Sequence, residues 1–236
     1  MKMKKTIGIL GGMGPLATAD LMAKIAKLTK ASCDAEHIRV YVDSNPAIPD
    51  RTAAILSGGP DPVEEMASAL RHLEECGADC IIMPCNTAHW FLPRLQRLTE
   101  TPFLDMTRIA AECCAKRFPA ERIAVLATTG TLSTGLYEKA LAEQNVPFLL
   151  PDKEEHKILM HLIYDVVKAS RPLAPEAETW HSLLEGLRSR GADVFLLACT
   201  ELPVLAQELP EPGPFLDTTE ELARAAIRYC GYECVQ

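Results

Sequence analysis

"GADCIIMPCNTAHWFLPRLQRLTETPFLDMT" (residues 77–107) and "GADVFLLACTELPVLAQELPEPGPFLDTT" (191–219) are two versions of one pattern. Each runs Gly-Ala-Asp, an apolar stretch of strand character, and a cysteine eight residues after the glycine. A threonine follows closely, then a helical stretch bearing leucine and proline, then Pro-Phe-Leu-Asp-x-Thr. A second echo pairs "TIGILGGMG" (6–14) with "RIAVLATTG" (122–130). Internal similarity of this kind marks a duplicated unit. Each Pro-Phe-Leu-Asp is then the point where the chain passes from one copy to the other, and the last helix is expected to return to the first.

The rest of the chain agrees with that frame. Short β-branched runs at 6–10, 37–42, 79–84, 122–127, 146–150 and 193–198 alternate with helical patterns near 15–31, 61–77, 106–117, 135–144, 154–170, 175–190 and 218–230. Continuous apolar strands between amphipathic helices predict mostly parallel sheet covered on both faces. The expected class is α/β, with two pseudo-symmetric lobes, each a mostly parallel sheet flanked by helices. The first lobe is expected to span 1–104 plus 217–236, the second 105–216. Ligands of parallel α/β units bind at the carboxyl ends of strands. Two lobes related by an approximate two-fold axis therefore place Cys85 and Cys199 on opposite walls of one cleft.

Composition removes several function classes. The net charge is −8 and the basic residues are scattered, so neither nucleic acid nor an anionic membrane meets an electrostatic footprint. The basic opening of "MKMKKTIGILGGMG" is followed by too short an apolar run for a signal peptide, and no stretch has the length of a membrane span. A cytoplasmic protein is expected. Its nine cysteines are odd in number and several lie in apolar runs, which argues against a disulfide framework. Cys33, Cys76, Cys80, Cys113, Cys114, Cys230 and Cys234 are read as small buried hydrophobes.

Cys85 and Cys199 are different because they end strands and precede helical segments. Ionising a free thiol at pH 7 costs roughly 2 kcal/mol, and a helix N-terminus can supply much of that. Asn86, Thr87 and Thr200 place short donors beside them, suited to a carboxylate. A base on one face of a carbon and an acid on the other are what proton transfer with inversion requires. Two rival readings compete. "GMGPLA" (12–17) fits Gly-x-Gly-x-x-Ala after a strand, with Asp43 ending the next strand, as in a nicotinamide dinucleotide site; Pro15 deletes a backbone donor where a pyrophosphate needs one. Cys76, Cys80, Cys85 and His89 could form a zinc set, but lack a Cys-x-x-Cys pair. His89 is read as a helix residue near the site that could tune Cys85.

"GGMGP" (11–15), "NPAIPDR" (45–51), "PCNTAH" (84–89), "VKAS" (167–170) and "CTELP" (199–203) together resemble the aspartate/glutamate racemases, from residue 6 to about 220. The resemblance implies a cofactor-independent enzyme, without pyridoxal phosphate or metal, in which Cys85 and Cys199 are base and acid, Cys85 serving the D- and Cys199 the L-enantiomer. It further implies that Asn86, Thr87, Thr129 and Thr200 bind the α-carboxylate or ammonium, that Met13 lines the pocket, and that Arg51 with Lys168 holds a side-chain carboxylate. The helix of Lys168 aligns in more than one register, and Lys157 is the alternative. Glutamate racemases usually carry Asp-Ser after the first strand and a histidine after the second Cys-Thr. Here those places read Gly-Gly-Met and Glu201, which points to the aspartate or broad-specificity branch. Thiol-dependent isomerases and decarboxylases of small dicarboxylates share the scaffold and are the alternative function. The implied partner is an amino-acid substrate, and a homodimer is the expected assembly.

Overall fold

The computed structural model describes residues 4–235; the first three residues of the basic opening lie outside them. Strands β1 (Ile7–Gly11), β2 (Val40–Ser44), β3 (Cys80–Ile82), β4 (Ile123–Ala127), β5 (Phe148–Leu149), β6 (Val194–Ala198) and β7 (Phe215–Asp217) alternate with helices. These are α1 (Pro15–Leu28), α2 (Arg51–Leu56), α3 (Val63–Glu75), α4 (Leu92–Gln96), α5 (Met106–Arg117), α6 (Thr129–Ser133), α7 (Leu136–Glu143), α8 (Lys153–Met160), α9 (Ala177–Ser189), α10 (Leu202–Glu208) and α11 (Thr218–Tyr229). A run of 3-10 helix covers Thr87–Phe91, and a π-helical run, His161–Val167, continues α8. The class is α/β with two parallel sheets flanked by helices.

The chain divides into two compact units, residues up to Ile109 with those from Thr219, and Ala110–Thr218. The first unit carries the order β2-β1-β3, and the second β5-β4-β6-β7. All printed strand pairs are parallel. In the first unit Phe103 bridges Ile81 in parallel, where the second unit has the full strand β7. Each cysteine-bearing strand thus lies between the first strand of its unit and its Pro-Phe-Leu-Asp segment.

The repeat persists to single hydrogen bonds. Ile81 N–H donates to Pro102 carbonyl (2.9 Å) and Phe195 N–H to Pro214 carbonyl (3.0 Å). Asp79 N–H donates to Thr6 carbonyl (3.0 Å), and Asp193 N–H to that of Arg122 (2.9 Å). The aspartate side chains return the bond, accepting from Thr6 N–H (2.7 Å) and Arg122 N–H (2.8 Å). Helices α3 and α9 both end on glycines in the left-handed region, Gly77 (φ +87°) and Gly191 (φ +92°). There Ala78 N–H reaches back to Leu73 and Ala192 N–H to Leu187, closing the helix ends by the same pair of turns.

Each sheet has an apolar cluster on either face, as expected where helices cover both. Alternation along the strands sorts the cysteines. Cys85 falls in the cluster of Leu10, Ile81, Met83 and α3 residues Met66 and Leu70. Cys199 falls in that of Phe195, Leu197 and α9 residues Leu183 and Leu187. These are equivalent faces. On the other face of the first sheet, Leu222 and Ile227 of α11 pack with Ile7 and Ile9. All nine cysteines are free, but Cys33 and Cys76 are exposed and Cys113 and Cys234 are partly so. The expectation of burial fails for Cys33 and Cys76, which cap helix ends, and is met in part for Cys113, inside α5, and Cys234, which bridges Thr29.

If the two glycine turns are equivalent, Gly77→Ala and Gly191→Ala will each lower stability by about 1–2 kcal/mol in chemical denaturation, the cost of a left-handed alanine. A loss in only one variant would contradict the equivalence.

Candidate functional site

In the first unit the candidate residues come from the carboxyl ends of three neighbouring strands. After β1 the chain turns through Gly12, whose N–H donates to Thr18 Oγ1 (2.9 Å), to a buried Met13. A Cβ on Gly12 would stand 2.3 Å from the Asn45 backbone, so the loop needs this glycine for close packing against the segment after β2. This packing accounts for Gly12 without a pyrophosphate. After β2, Asp50 caps α2 by accepting from Ala53 N–H (2.7 Å), and Arg51 is the first helical residue, not a loop residue. Arg51 Nη1 donates to the carbonyls of Ile48 (3.1 Å) and Pro49 (2.9 Å), and Nη2 to that of Met13 (3.2 Å). Met13 and Arg51 are thus brought together. A guanidinium has five N–H donors. These carbonyls leave Nε–H and one Nη2–H, and Nε is buried with no acceptor.

After β3, Cys85 (7 % exposed), Asn86 and Thr87 are all buried. Sequence reasoning took His89 as a residue that could tune the thiol; its geometry gives it a different task. His89 is buried, its Nδ1 lies 2.9 Å from Cys85 carbonyl, and its Nε2 accepts from Met106 N–H (3.1 Å). Because Nε2 is an acceptor, the proton of the neutral ring sits on Nδ1 and is donated to Cys85 carbonyl. Burial pushes His89 below its usual range, which keeps it neutral. The imidazole therefore fixes the backbone of the cysteine turn to the start of α5. It is committed to two main-chain groups and cannot also ligate zinc; among the described residues no three His, Cys, Asp or Glu side chains are grouped to hold a metal.

In the second unit Cys199 is 6 % exposed at the end of β6. Its sulfur donates to Glu201 Oε2 (2.9 Å), which also accepts from Thr200 Oγ1 (3.2 Å). Glu201 Oε1 lies 3.7 Å from Lys168 Nζ. Lys168 follows the π-helical run, and its ammonium stands 4.6 Å over the Tyr164 ring. The i→i+5 bonding of that run displaces Lys168 from the face an unbroken α-helix would give it. The alternative, Lys157, pairs instead with Glu154 on the exposed face (2.7 Å). Thr129 follows β4 as the first residue of α6, and its hydroxyl is 2.9 Å from His156 Nε2.

The helix end was expected to favour a Cys199 thiolate. The structure reverses that: burial, and then the negative charge of Glu201, push the Cys199 thiol well above its usual range. A full carboxylate charge in hydrogen-bond contact outweighs the partial charge of the short helix α10. Burial and the Glu201 charge both favour the protonated form of Cys199. Sequence reasoning noted Glu201 only as a departure from histidine; its place immediately after Cys-Thr was the available signal.

The sequence model of the Asp/Glu/Hydantoin racemase family matches residues 10–226. The chain superposes on an aspartate racemase of Picrophilus torridus with a TM-score of 0.87 and 33% identity, covering 98% of this chain and 96% of that one. An aspartate racemase homologue from Pyrococcus horikoshii shares the fold, with a TM-score of 0.78 at 24% identity over 96% and 99% of the two chains. The broad specificity amino-acid racemase RacX of Bacillus subtilis is 27% identical over 96% of this chain and 99% of its own. With two parallel α/β units, each ending a strand in a buried cysteine, the chain belongs to the Asp/Glu/Hydantoin racemase family.

Proposed function

We propose that the protein interconverts L- and D-aspartate by two-base proton transfer between Cys85 and Cys199. The observation that carries this reading is the equivalence of the two cysteines: each ends the strand lying between its unit's first strand and its Pro-Phe-Leu-Asp segment, on the same sheet face. The thiolate of one takes the α-proton, forming its S–H bond as the C–H bond breaks. The electron pair passes into the α-carboxylate as an enolate, and the S–H of the other cysteine gives its proton to the opposite face, leaving a thiolate. The protein ends with its thiol and thiolate exchanged, no electrons are gained or lost, and the equilibrium constant is one. The chemistry therefore needs no cofactor or second substrate.

For the enantiomer whose α-hydrogen faces Cys85, assigned as D, Cys85 is the base and Cys199 the acid, its proton held by burial and by the neighbouring Glu201 carboxylate. Asn86, Thr87, Thr129 and Thr200 supply short donors for the α-substituents. Thr200 must turn its hydroxyl from Glu201 to do so. Two cations serve the side-chain carboxylate: Arg51 through its unspent Nε–H and Nη2–H, and Lys168. An arginine already held by three carbonyls loses little further freedom on binding. Similarity to both an aspartate racemase and a broad-specificity racemase makes the substrate range the natural question for assay. We also infer a cytoplasmic homodimer, supported by nine free thiols, which suit a reducing compartment, and by the prevalence of two-fold assemblies. Among the described residues no helix is long and apolar enough to cross a membrane.

Chiral chromatography of a panel of L-amino acids incubated with the protein should show D-aspartate forming fastest, and Cys85→Ala or Cys199→Ala should each abolish it. Racemisation retained in either variant would remove that cysteine from the pair. Replacing Glu201 by Gln removes the charge that opposes ionisation of Cys199. Thiolate absorbance during a pH titration should then show one thiol ionising at lower pH than in the unaltered protein. No displacement, or one to higher pH, would contradict the role given to Glu201.

A further inference from the structure

His156 has no part in the proton transfer, yet its ring meets one of the substrate-binding candidates. Helix α8 is anchored at its start by a reciprocal cap. Asp152 accepts from the N–H groups of Glu154 and Glu155 (both 2.9 Å), while Glu155 Oε2 accepts from Asp152 N–H (2.7 Å). The same Glu155 pairs with Arg190, whose Nη2 donates to Leu150 carbonyl (3.0 Å). The residue that follows, His156, is thereby held with Nε2 2.9 Å from Thr129 Oγ1. Its other nitrogen, Nδ1, is buried and has no hydrogen-bond partner. Thr129 is exposed, and the N-cap of its helix is the preceding Thr128, so its hydroxyl is not committed to capping.

We propose that His156 is a positioning residue: its Nε2–H donates to Thr129 Oγ1 and so turns the Thr129 hydroxyl proton outward, toward a substrate carboxylate. Burial favours the neutral ring, and a neutral imidazole carries one N–H. On Nδ1 that proton would be a buried donor without an acceptor, which is rarer in folded proteins than an unsatisfied acceptor. On Nε2 it is satisfied by Thr129. A threonine oxygen that accepts from an imidazole cannot spend its own proton on that ring. Its hydroxyl is left as a donor, strengthened by the bond it receives. The proposal rests on the racemase reading for the identity of the carboxylate, but the direction of the hydrogen bond does not.

Two measurements judge it. In 15N-labelled protein, the imidazole nitrogen shifts of His156 at neutral pH should show Nε2 protonated and Nδ1 bare; protonation on Nδ1 would overturn the proposal whether or not the protein racemises anything. In steady-state kinetics, His156→Ala should raise KM for aspartate about fivefold, the worth of one hydrogen bond, while kcat changes by less than about twofold. His156→Gln, whose amide can still donate to Thr129, should bring KM back to within about twofold of the unaltered protein. An unchanged KM in the alanine variant, or an equal rise in both, would overturn it. Absence of turnover in the unaltered protein would sink the racemase reading alone, because the nitrogen shifts would still report the direction of the bond.

Discussion

Asp79 and Asp193 set the register on which both cysteines depend. Each aspartate stands at the foot of a cysteine-bearing strand and exchanges a pair of hydrogen bonds with the residue that leads into the neighbouring strand, Thr6 or Arg122. Strand side chains alternate between faces, so a slip of one residue would turn every side chain of the strand to the opposite cluster. The cysteine would turn with them. With register pinned at the foot, the sixth residue after each aspartate emerges beyond the strand end on the face shared with α3 or α9. The position of the sulfur is therefore decided at the far end of the strand from the cysteine turn.

Equivalent backbones hold the two cysteines in unequal surroundings. Close to Cys85 the buried titratable group is His89, whose two nitrogens are spent on main-chain partners and which carries no charge to the turn. Beside Cys199 stands the partly buried Glu201, a carboxylate that accepts the thiol proton's hydrogen bond and is itself balanced by Lys168. In the proposed reaction the two groups must differ by one proton, and the Glu201 carboxylate opposes loss of that proton from Cys199. The duplication gives the two cysteine turns equivalent backbones, and the neighbouring side chains make them chemically unequal.

Much of the fold was legible in advance: apolar runs marked most of the strands, and the repeat marked the two cysteine turns as equivalent. The misses have local causes. Phe215–Asp217 was read as a crossing point and is also a strand, too short to carry an alternation of its own. Helix α2 hid behind Pro46 and Pro49, which read as loop, although Asp50 is an ordinary cap. The π-helical run before Lys168 leaves no mark in an apolar periodicity. At the site, residue types were readable and hydrogen-bond directions were not. The raised Cys199 thiol, the backbone duty of His89 and the contact of His156 with Thr129 each depend on which atom faces which. Spacing along the chain does not report that.

The central claim is that two different sulfur atoms handle the proton on the two faces of one carbon. It is tested most directly by following each enantiomer of aspartate separately during early turnover in heavy water. With two one-proton carriers, deuterium should appear at the α-carbon of the newly formed enantiomer while the recovered starting enantiomer remains unlabelled. Label accumulating equally in the recovered starting enantiomer would mean that a single group removes and returns the proton, and would contradict the account.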